Sequence, residues 1–404
     1  MTESSLFAAA LGLLPPWFVV RTEFSREKRQ LDIYIDFEKG ALFTCPACGG
    51  TGKAYDTAEE SWRHLNFFQH SAFLHARVPR IDCSNCKSVK KVDVPWARPG
   101  SGFTLLFEAL VMAMAREMPV LAIAKMIGEH DTRLWRTIRH YVVESLKKRD
   151  LSGVRFMGVD ETSRRKGHQY VSLFFDLETR QLIFATAGKD SDTLKQCAEA
   201  LKDHGGSAAN IQRVCCDLSP AFIKGVAENF PQAEITFDRF HLTKIVSDAV
   251  DKVRREEAAT CGWLKATRYL WLQNPKSLTR KQRSCVNNLS LLNLKTVRAY
   301  HIRLNFQELF SQPSRQSGET FLKAWYFWAT HCRLKPMVEA AKTIKRHWDG
   351  VLSWFDSKIN NGLLEGINSL IQAAKCRARG YRSVENFVAM AYLIAGNLHF
   401  GLPT

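Results

Sequence analysis

The chain has 404 residues, of which 46% are hydrophobic, and it carries a formal net charge of +17 at pH 7. This length favours roughly two to four domains, and the hydrophobic content excludes a disordered chain. An excess of Lys and Arg on this scale is typical of proteins that bind a polyanion, because the cations displace the counterions of phosphate groups. The alternative is a basic protein whose charge serves solubility alone.

The apolar stretch near the start, Leu6 to Leu14, is too short to span a bilayer. Glu3 precedes it, no Lys or Arg does, and no convincing cleavage site follows, so it does not resemble a signal peptide. We therefore expect a short amphipathic helix here and a cytoplasmic protein without a membrane partner.

Residues 1–100 are expected to form an N-terminal zinc-finger domain, with short strands at Trp17–Thr22 and Leu31–Phe37. Four of the eleven cysteines form two Cys-x-x-Cys pairs, which are Cys45/Cys48 and Cys83/Cys86. Two such pairs predict one structural zinc, because four thiolates complete its tetrahedron. Between the pairs we expect a loop, and its three histidines could each replace a cysteine: His64, His70 and His75.

Residues 101–150 have the pattern of a helix-turn-helix DNA-binding domain. The predicted helices are Phe103–Arg116, Val120–Ile127 and Thr132–Val143, with a turn at Gly128. In the last helix, Leu134 and Ile138 are four residues apart and should pack inward. Its basic residues should then face DNA, and they are Arg133, Arg136, Arg139 and His140. The alternative is an ordinary helical hairpin in a basic protein.

Residues 151–255 alternate strands and helices, which predicts a mixed αβ sheet. The predicted strands are Arg155–Asp160, Tyr170–Asp176, Gln181–Ala187, Arg213–Asp217 and Glu234–Phe237. Asp160 ends the first strand and Asp217 the fourth, so the two should lie side by side if these strands are neighbours. A carboxylate at the end of an apolar strand is costly to bury without a cation, and magnesium suits it. Each Asp alone could instead be a helix N-cap.

Residues 256–355 show no strand pattern and are predicted to be helical, and an amphipathic helix follows at Ile359–Arg379. Its apolar face comprises Leu363, Ile367, Leu370, Ile371 and Ala374. Its polar stripe comprises Glu365, Asn368, Gln372, Lys375 and Arg379. The basic residues Lys375, Arg377, Arg379 and Arg382 would bind phosphate at its end. The alternative is a solvated helix face.

Several short motifs occur in a characteristic order along nearly the whole chain. After the cysteine pairs and the helix-turn-helix come Gly158-Val-Asp-Glu-Thr, Cys216-Asp-Leu-Ser, Asp238-Arg-Phe-His241 and Asn361-Gly-Leu-Leu-Glu365-Gly-Ile-Asn368. In these features the sequence resembles bacterial insertion-sequence transposases of the ISL3 family. The resemblance implies a multidomain α+β protein with a zinc-ribbon-like finger, a helix-turn-helix and a ribonuclease-H-like catalytic domain.

The same resemblance implies that the catalytic core consists of residues 151–255 and 356–404, interrupted by a helical insertion at 256–355. It implies that Asp160, Asp217 and Glu365 are the catalytic acids and bind two divalent ions, magnesium or manganese. Asp238 and His241 would be auxiliary residues. The expected partner is double-stranded DNA at the nucleoid, as terminal inverted repeats and target, bound by a homodimer or higher oligomer.

The expected reaction is an in-line displacement at phosphorus, with one ion activating the nucleophile and the other stabilising the leaving oxygen. Two alternatives differ in function. One is a DNA-binding regulator with an inactive αβ domain, and the other is a structure-specific nuclease of the same fold. The presence of all three acids opposes the first, and the large N-terminal DNA-binding region opposes the second.

Overall fold

We describe residues 3–164, 169–357 and 362–403 of the computed structural model, without the side chains of residues 357–365. In these residues the chain has a mixed αβ fold with two β-sheets. It divides into two compact units: the first is Met1–Glu144 together with His399–Thr404, and the second is Ser145–Leu398. Within the described residues, no helix is both long and apolar enough to cross a membrane.

The first unit is built on a six-stranded sheet, which follows a short helix, α1 (Glu3–Ala10). Its strands are β1 (Trp17–Ser25), β2 (Gln30–Phe37), β3 (Leu42–Thr44), β4 (Thr51–Phe67), β5 (His70–Cys83) and β6 (Ser88–Lys91). The order is β1-β2-β5-β4-β3, and β6 also pairs with β5. The β2–β5 pair is parallel and the others are antiparallel.

A long antiparallel hairpin, β4–β5, connects the two cysteine pairs, so the expected loop at this place was wrong. Strand β5 alternates apolar and polar residues, and Ala72, Leu74 and Ala76 are buried on one face. Strand β4 carries charged residues in the middle of its length, and its side chains there are largely half-buried or exposed. The polar character of β4 is therefore consistent with a strand that has only one covered face.

Three helices follow the sheet: α2 (Leu105–Glu117), α3 (Val120–Ile127) and α4 (Asp131–Lys147). Arg63 of β4 is buried and donates a 2.9 Å hydrogen bond to the carbonyl of Ala72. Its guanidinium lies 3.8 Å from a carboxylate oxygen of Glu129, a residue in the turn between α3 and α4. Its guanidinium also lies 5.3 Å from the ring of Phe107 in α2. The hairpin and the helices are therefore packed into one unit.

A fully buried carboxylate, Glu108 of α2, connects the segment before the helices to α4. It accepts hydrogen bonds from Arg98 at 3.0 and 3.1 Å and from Ser101 at 2.8 Å. The hydroxyl of Tyr141 in α4 donates to it at 2.5 Å. These donors compensate the desolvation of the charge, which would be costly if it were unpaired.

The second unit contains a five-stranded sheet that agrees closely with the predicted strands. It consists of β7 (Phe156–Ser163), β8 (Tyr170–Asp176), β9 (Gln181–Ala187), β10 (Arg213–Cys216) and β11 (Glu234–Phe237), in the order β11-β10-β7-β8-β9. Strands β7, β8 and β9 are antiparallel neighbours, whereas β10 is parallel to both β7 and β11. The helices between these strands and after them are α5 (Asp192–Asp203), α6 (Pro220–Asn229) and α7 (Arg239–Ala258).

The rest of the second unit is helical within the described residues. The helices are α8 (Arg268–Leu272), α9 (Arg280–Ser290), α10 (Lys295–Gln307), α11 (Arg315–His331), α12 (Lys335–Arg346), α13 (Trp348–Ser357), α14 (Gly362–Arg377) and α15 (Val384–Ala395). Buried residues of these helices, such as Trp271 and Trp325, belong to the same hydrophobic cluster as Phe174 and Val214 of the sheet. The helical segment therefore shares a core with the sheet.

Candidate functional site

The four cysteine sulfurs of the two pairs meet at one point of the first unit. All four Sγ atoms lie within 4.8 Å of one another, with Cys45 and Cys86 3.9 Å apart and Cys48 and Cys83 3.5 Å apart. Ligands at about 2.3 Å from a tetrahedral zinc are separated by about 3.8 Å. The cluster therefore fits a structural zinc with four thiolate ligands.

The backbone turns around these cysteines have the form that such a site requires. Gly49 has φ +73° and donates its N–H to the carbonyl of Cys45 at 3.0 Å. A hydrogen bond from the backbone of Ala47 lowers the pKa of the Cys45 thiol to about 7. A lowered thiol pKa favours the thiolate, which is the form that binds zinc.

Two of the three histidines of the hairpin, His64 and His75, have hydrogen-bond partners elsewhere. His75 bonds the carboxylate of Asp32 at 2.7 Å, and His64 bonds the hydroxyl of Thr104 at 2.9 Å. Burial lowers the pKa of His64 to about 4. Together with the convergence of the four sulfurs, this means that no described histidine replaces a cysteine in the cluster.

Helices α3 and α4 form the predicted helix, glycine turn and helix. Gly128 ends α3 in the left-handed conformation, with φ +70°, which glycine adopts without steric cost. Leu134 and Ile138 are fully buried, as predicted. Arg136 and Arg139 are exposed on α4, so both are accessible to a ligand.

Arg133 differs from the other arginines of α4, because the fold holds its side chain. Its guanidinium donates to Glu129 at 2.6 Å and lies 4.2 Å from the ring of Phe103. Helix α4 therefore offers Arg136 and Arg139 more readily than Arg133 to an external partner. His140 is half-buried next to Tyr141, with the ring centroids 5.2 Å apart.

In the second unit, Asp160 and Asp217 occupy matching positions on neighbouring parallel strands. Gly158 of β7 pairs with Cys215 of β10, and each Asp lies two residues further along its chain. Asp217 directly follows β10, one residue beyond the strand end, whereas the sequence pattern predicted it as the last residue of this strand. Asp160, however, lies inside β7 and does not end it, because β8 continues to pair with β7 as far as Ser163.

Asp238 extends this row of acids to the third strand. It directly follows β11, and its backbone N–H donates to the carbonyl of Cys216 at 3.1 Å. One carboxylate oxygen accepts from the N–H of Phe240 at 2.8 Å, which caps α7, and the other bonds Nδ1 of His241 at 2.8 Å. The three acids thus lie at one edge of the sheet, with an imidazole beside them.

Burial and mutual repulsion shape the electrostatics of this edge. Desolvation raises the pKa of Asp160 to about 6, and the charges of Asp217 and Asp238 contribute in the same direction. The hydrogen bond to Asp238 raises the pKa of His241, as do the charges of Asp217 and Asp160. Desolvation also raises the pKa of Glu161, the residue after Asp160. The edge is thus a concentration of negative charge that a cation would stabilise.

Three residues of the predicted polar stripe of helix α14, Asn368, Gln372 and Lys375, contact strand β7. The amide of Asn368 donates to the carboxylate of Asp160, and Lys375 donates to the carbonyl of Ser163 at 2.9 Å. Between them, Gln372 donates to the hydroxyl of Thr162. This part of the stripe is consequently a packed interface, whereas Arg379 at its end is exposed.

The predicted apolar face of α14 is confirmed in part. Ile371 and Ala374 are buried and Ile367 is half-buried, but Leu370 is 58% exposed, so its assignment to this face was wrong. The buried side of the helix is therefore narrower than the sequence pattern indicated. The side chains of Leu363 and Glu365 lie outside the described residues, so their places on the two faces stay predictions.

The basic residues in the last turn of α14 and shortly after it divide into two groups. Lys375 contacts β7, whereas Arg377, Arg379 and Arg382 are exposed. Sequence reasoning missed Arg164, which is buried and donates a 2.9 Å hydrogen bond to the carbonyl of Tyr381, joining the end of β7 to the segment after α14. Only its position soon after Asp160 could have drawn attention to it.

The described acids do not by themselves form a compact ligand set. Among the described Asp, Glu, His and Cys side chains, the four cysteines are the one group of at least three whose ligand atoms all lie within 4.8 Å. The sheet edge brings Asp160, Asp217, Asp238 and His241 into electrostatic contact but not into a closed cage. Any ion there would need further oxygen ligands.

Comparison with known proteins gives matches along most of the chain. Residues 157–391 match a family model described as "Transposase" of the ISL3 type. Residues 92–142 match the helix-turn-helix domain of transposase family ISL3, and residues 41–86 match the zinc-finger of transposase IS204/IS1001/IS1096/IS1165.

Two curated relatives cover nearly the full length. The transposase for insertion sequence element IS1557 of Mycobacterium tuberculosis is 27% identical, over 98% of this chain and 97% of the relative. The transposase for insertion sequence element IS1001 of Bordetella parapertussis is 25% identical, over 94% of this chain and 95% of the relative.

Proposed function

Because this chain belongs to the ISL3 family of transposases, we propose that it binds the terminal inverted repeats of an insertion sequence and cleaves and transfers DNA strands. The catalytic acids would be Asp160, Asp217 and Glu365, with two divalent metal ions as cofactors. The observation that carries this proposal is the parallel register of β7 and β10, which aligns Asp160 with Asp217.

Helix α14 supports the inclusion of Glu365. Asn368, three residues later in the same helix, donates a hydrogen bond to Asp160. Positions three and four apart lie on the same side of an α-helix, and Gln372 and Lys375 continue this side along β7. Position 365 therefore belongs to the side that approaches Asp160, which makes Glu365 the natural third acid.

The chemistry of the sheet edge fits magnesium or manganese. A buried carboxylate with a pKa near 6 next to two more acids is costly to keep charged, and a divalent cation offsets that cost. The Oδ1 atom of Asn368 is also buried without a hydrogen-bond partner among the described residues. A hydrated ion at Asp160 would offer such an oxygen a donor.

In this mechanism the protein holds and orients the reactants. Bound divalent ions supply activation of the attacking hydroxyl and stabilisation of the leaving 3′ oxygen. Asp238 fixes the ring of His241 through Nδ1, and the raised pKa of His241 favours the cation, which would hold a DNA phosphate beside the acids. Arg377, Arg379 and Arg382 would bind the neighbouring backbone.

The strand order supports a ribonuclease-H-like fold for the catalytic domain, with the core in residues 151–255 and 356–404. The helical segment 256–355 would be an insertion between the second and third acids, since it packs into the core of the sheet. The zinc-bearing sheet and helix α4 would read the repeats, with Arg136 and Arg139 on bases or phosphates. Simultaneous use of both element ends would require a dimer or higher oligomer.

Removal of single negative charges tests the acids. Asp160→Asn, Asp217→Asn and Glu365→Gln should each lower cleavage of a supercoiled plasmid carrying both element ends by at least about 100-fold in Mg²⁺. Binding of the terminal repeats should persist, because the proposed repeat-binding residues lie in the zinc-bearing sheet and helix α4. Asp203→Asn, at an exposed acid at the end of α5, is the matched control and should cleave like wild type.

Each other result has a definite meaning. Equal cleavage by wild type and all three variants would refute the acid assignment. A wild type that binds the repeats but cleaves in neither Mg²⁺ nor Mn²⁺ would instead be a regulator. Cleavage of branched DNA irrespective of the repeats would indicate a structure-specific nuclease.

A further inference from the structure

A cleft of about 720 Å³ lies in the helical segment, between helix α10 and the end of helix α11. We call it the α10–α11 cleft. Its exposed lining comprises Arg298, His301, Phe327, Trp328, His331 and Arg333. The volume falls within the roughly 300–1,000 Å³ of ordinary ligand sites. Its residues take no part in the sheet edge or the cysteine cluster.

Two large aromatic side chains are presented to solvent in this cleft. Phe327 is 65% exposed and Trp328 is 42% exposed. The ring of His331 stacks on Phe327, with centroids 4.1 Å apart and an angle of 28° between the rings. Nδ1 of His331 donates to the carbonyl of Phe327 at 2.7 Å, which holds the two rings in this arrangement. The cleft therefore contains a preformed flat aromatic surface.

The charge of the cleft is uniformly basic. Arg298 and Arg333 are exposed, and neither takes part in any ion pair of the described residues, whereas no Asp or Glu lines the cleft.

We propose that the α10–α11 cleft binds an unpaired segment of DNA, with a base stacked on Phe327 and Trp328 and adjacent phosphates held by Arg298 and Arg333. This inference rests on the proposed function, since it takes DNA as the substrate. Every base has a flat face that stacks on aromatic rings, and a basic groove follows the backbone. Paired bases keep their faces inside the duplex, so aromatic stacking selects unpaired nucleotides.

Fluorescence anisotropy of labelled DNA tests the cleft in the full-length chain. The double variant Phe327→Ala/Trp328→Ala should weaken binding of an oligothymidine strand by about tenfold or more and leave binding of a blunt duplex unchanged. Arg333→Gln should lower the slope of log K against log salt for the single strand by about 0.7. The titrations are made without added Mg²⁺ and without chelator, because a chelator would strip the cysteine site.

Tyr269→Ala is the matched control, because Tyr269 is also 65% exposed in the same helical segment. It should leave both affinities unchanged. Equal losses on single strand and duplex, or no loss on the single strand, would overturn the proposal. A double variant that dissociates an oligomer without changing single-strand binding would also overturn it, in favour of a second copy as partner.

The proposed catalysis can fail separately. A wild type that does not cleave in Mg²⁺ would still give these binding results, and a cleft that does not bind single strands would leave cleavage intact.

Discussion

Asp160 shows how one residue can serve function at the expense of stability. It lies inside strand β7, bonded to the N–H of Glu161 at 2.7 Å and to Asn368. These contacts do not compensate its desolvation, and the pKa stays at about 6. The folded protein thus binds a proton at Asp160 more tightly than the unfolded chain does. Charging this group therefore opposes folding as pH rises.

Asp160→Asn should raise the stability of the metal-free protein. Since the folded pKa lies above the usual 3.8, the penalty grows as pH rises between the two values and is complete above about 6. This rise in the pKa of Asp160 corresponds to a loss of at most about 3 kcal/mol in the free energy of unfolding. Thermal unfolding should show a higher Tm for the variant at pH 7.5 and a smaller difference at pH 5.

Added Mg²⁺ should raise the Tm of the wild type and not that of Asp160→Asn, because the ligand charge is gone. A variant that is less stable than wild type at pH 7.5 would contradict this account of Asp160.

At the scale of single residues, the sequence predicted those whose positions depend on neighbouring residues in the chain. Asp160 and Asp217 follow from apolar strands, and the buried Leu134 and Ile138 follow from helical spacing. The contact of Asn368 with Asp160 could not be predicted from the pattern, since it joins residues 208 positions apart. The exposed Leu370 shows the same limit, because amphipathic spacing does not say how wide the covered side is.

Among the elements, the β4–β5 hairpin contributes to both the cysteine cluster and the apolar core of the first unit. It carries the cysteine pairs at one end, with Cys83 as its last residue, and apolar residues such as Trp62 and Leu74 in the core of the sheet. The sheet core also includes Trp17 and Trp96, whose rings lie 5.0 Å apart. The cysteine cluster and the apolar core therefore stabilise different parts of the hairpin.

The protein should contain one zinc per chain by elemental analysis, and Cys45→Ser should abolish it. We expect loss of order around β3 and β6, together with a large decrease in stability of the first unit, because the four-ligand site cannot close. Cys376→Ser, at an exposed cysteine of α14, is the control and should retain the zinc. Purified protein without zinc but with an intact N-terminal fold would contradict the structural role.

The hairpin is the longest element that the sequence analysis did not predict, and the reason is physical. Strand β4 has charged residues over much of its exposed face, so its alternation of apolar and polar residues is weak. Strands β8 and β9, which are mostly buried, have dense apolar runs and were predicted with their observed bounds. Burial on both faces gives a strand its clearest pattern.

At the scale of the whole molecule, the charge of +17 indicates general attraction to DNA, whereas specificity must come from particular side chains. Exposed cations contribute to the first, and base contacts from α4 would provide the second. The predicted domain limits at residues 100 and 150 remain predictions. Within the described residues, the zinc-bearing sheet and helices α2 and α3 lie in the same compact unit.

Arg136→Ala should weaken binding of the terminal repeats by about 1–3 kcal/mol and affect random DNA much less, if Arg136 contacts a base edge. Lys125→Ala, at an exposed cation of α3, is the control and should affect both DNAs equally. Competition binding with the two DNAs at one fixed salt concentration gives the comparison. Equal weakening by Arg136→Ala would make it a phosphate contact, and no weakening would remove it from the interface.

The buried Glu108 network has a consequence for the exchange of parts between related proteins. Its donors come from residues 98 and 101, before the helices, and from residue 141 in the last of them. A chimera joined near residue 100 would keep the native Glu108 but replace the segment that carries Arg98. If the new segment has no arginine at this place, the Glu108 carboxylate is left as an unpaired charge in the interior. A junction after Glu144 would carry the whole network across intact. Exchange of DNA preference between such proteins should therefore succeed with the larger segment and fail with the zinc-bearing sheet alone.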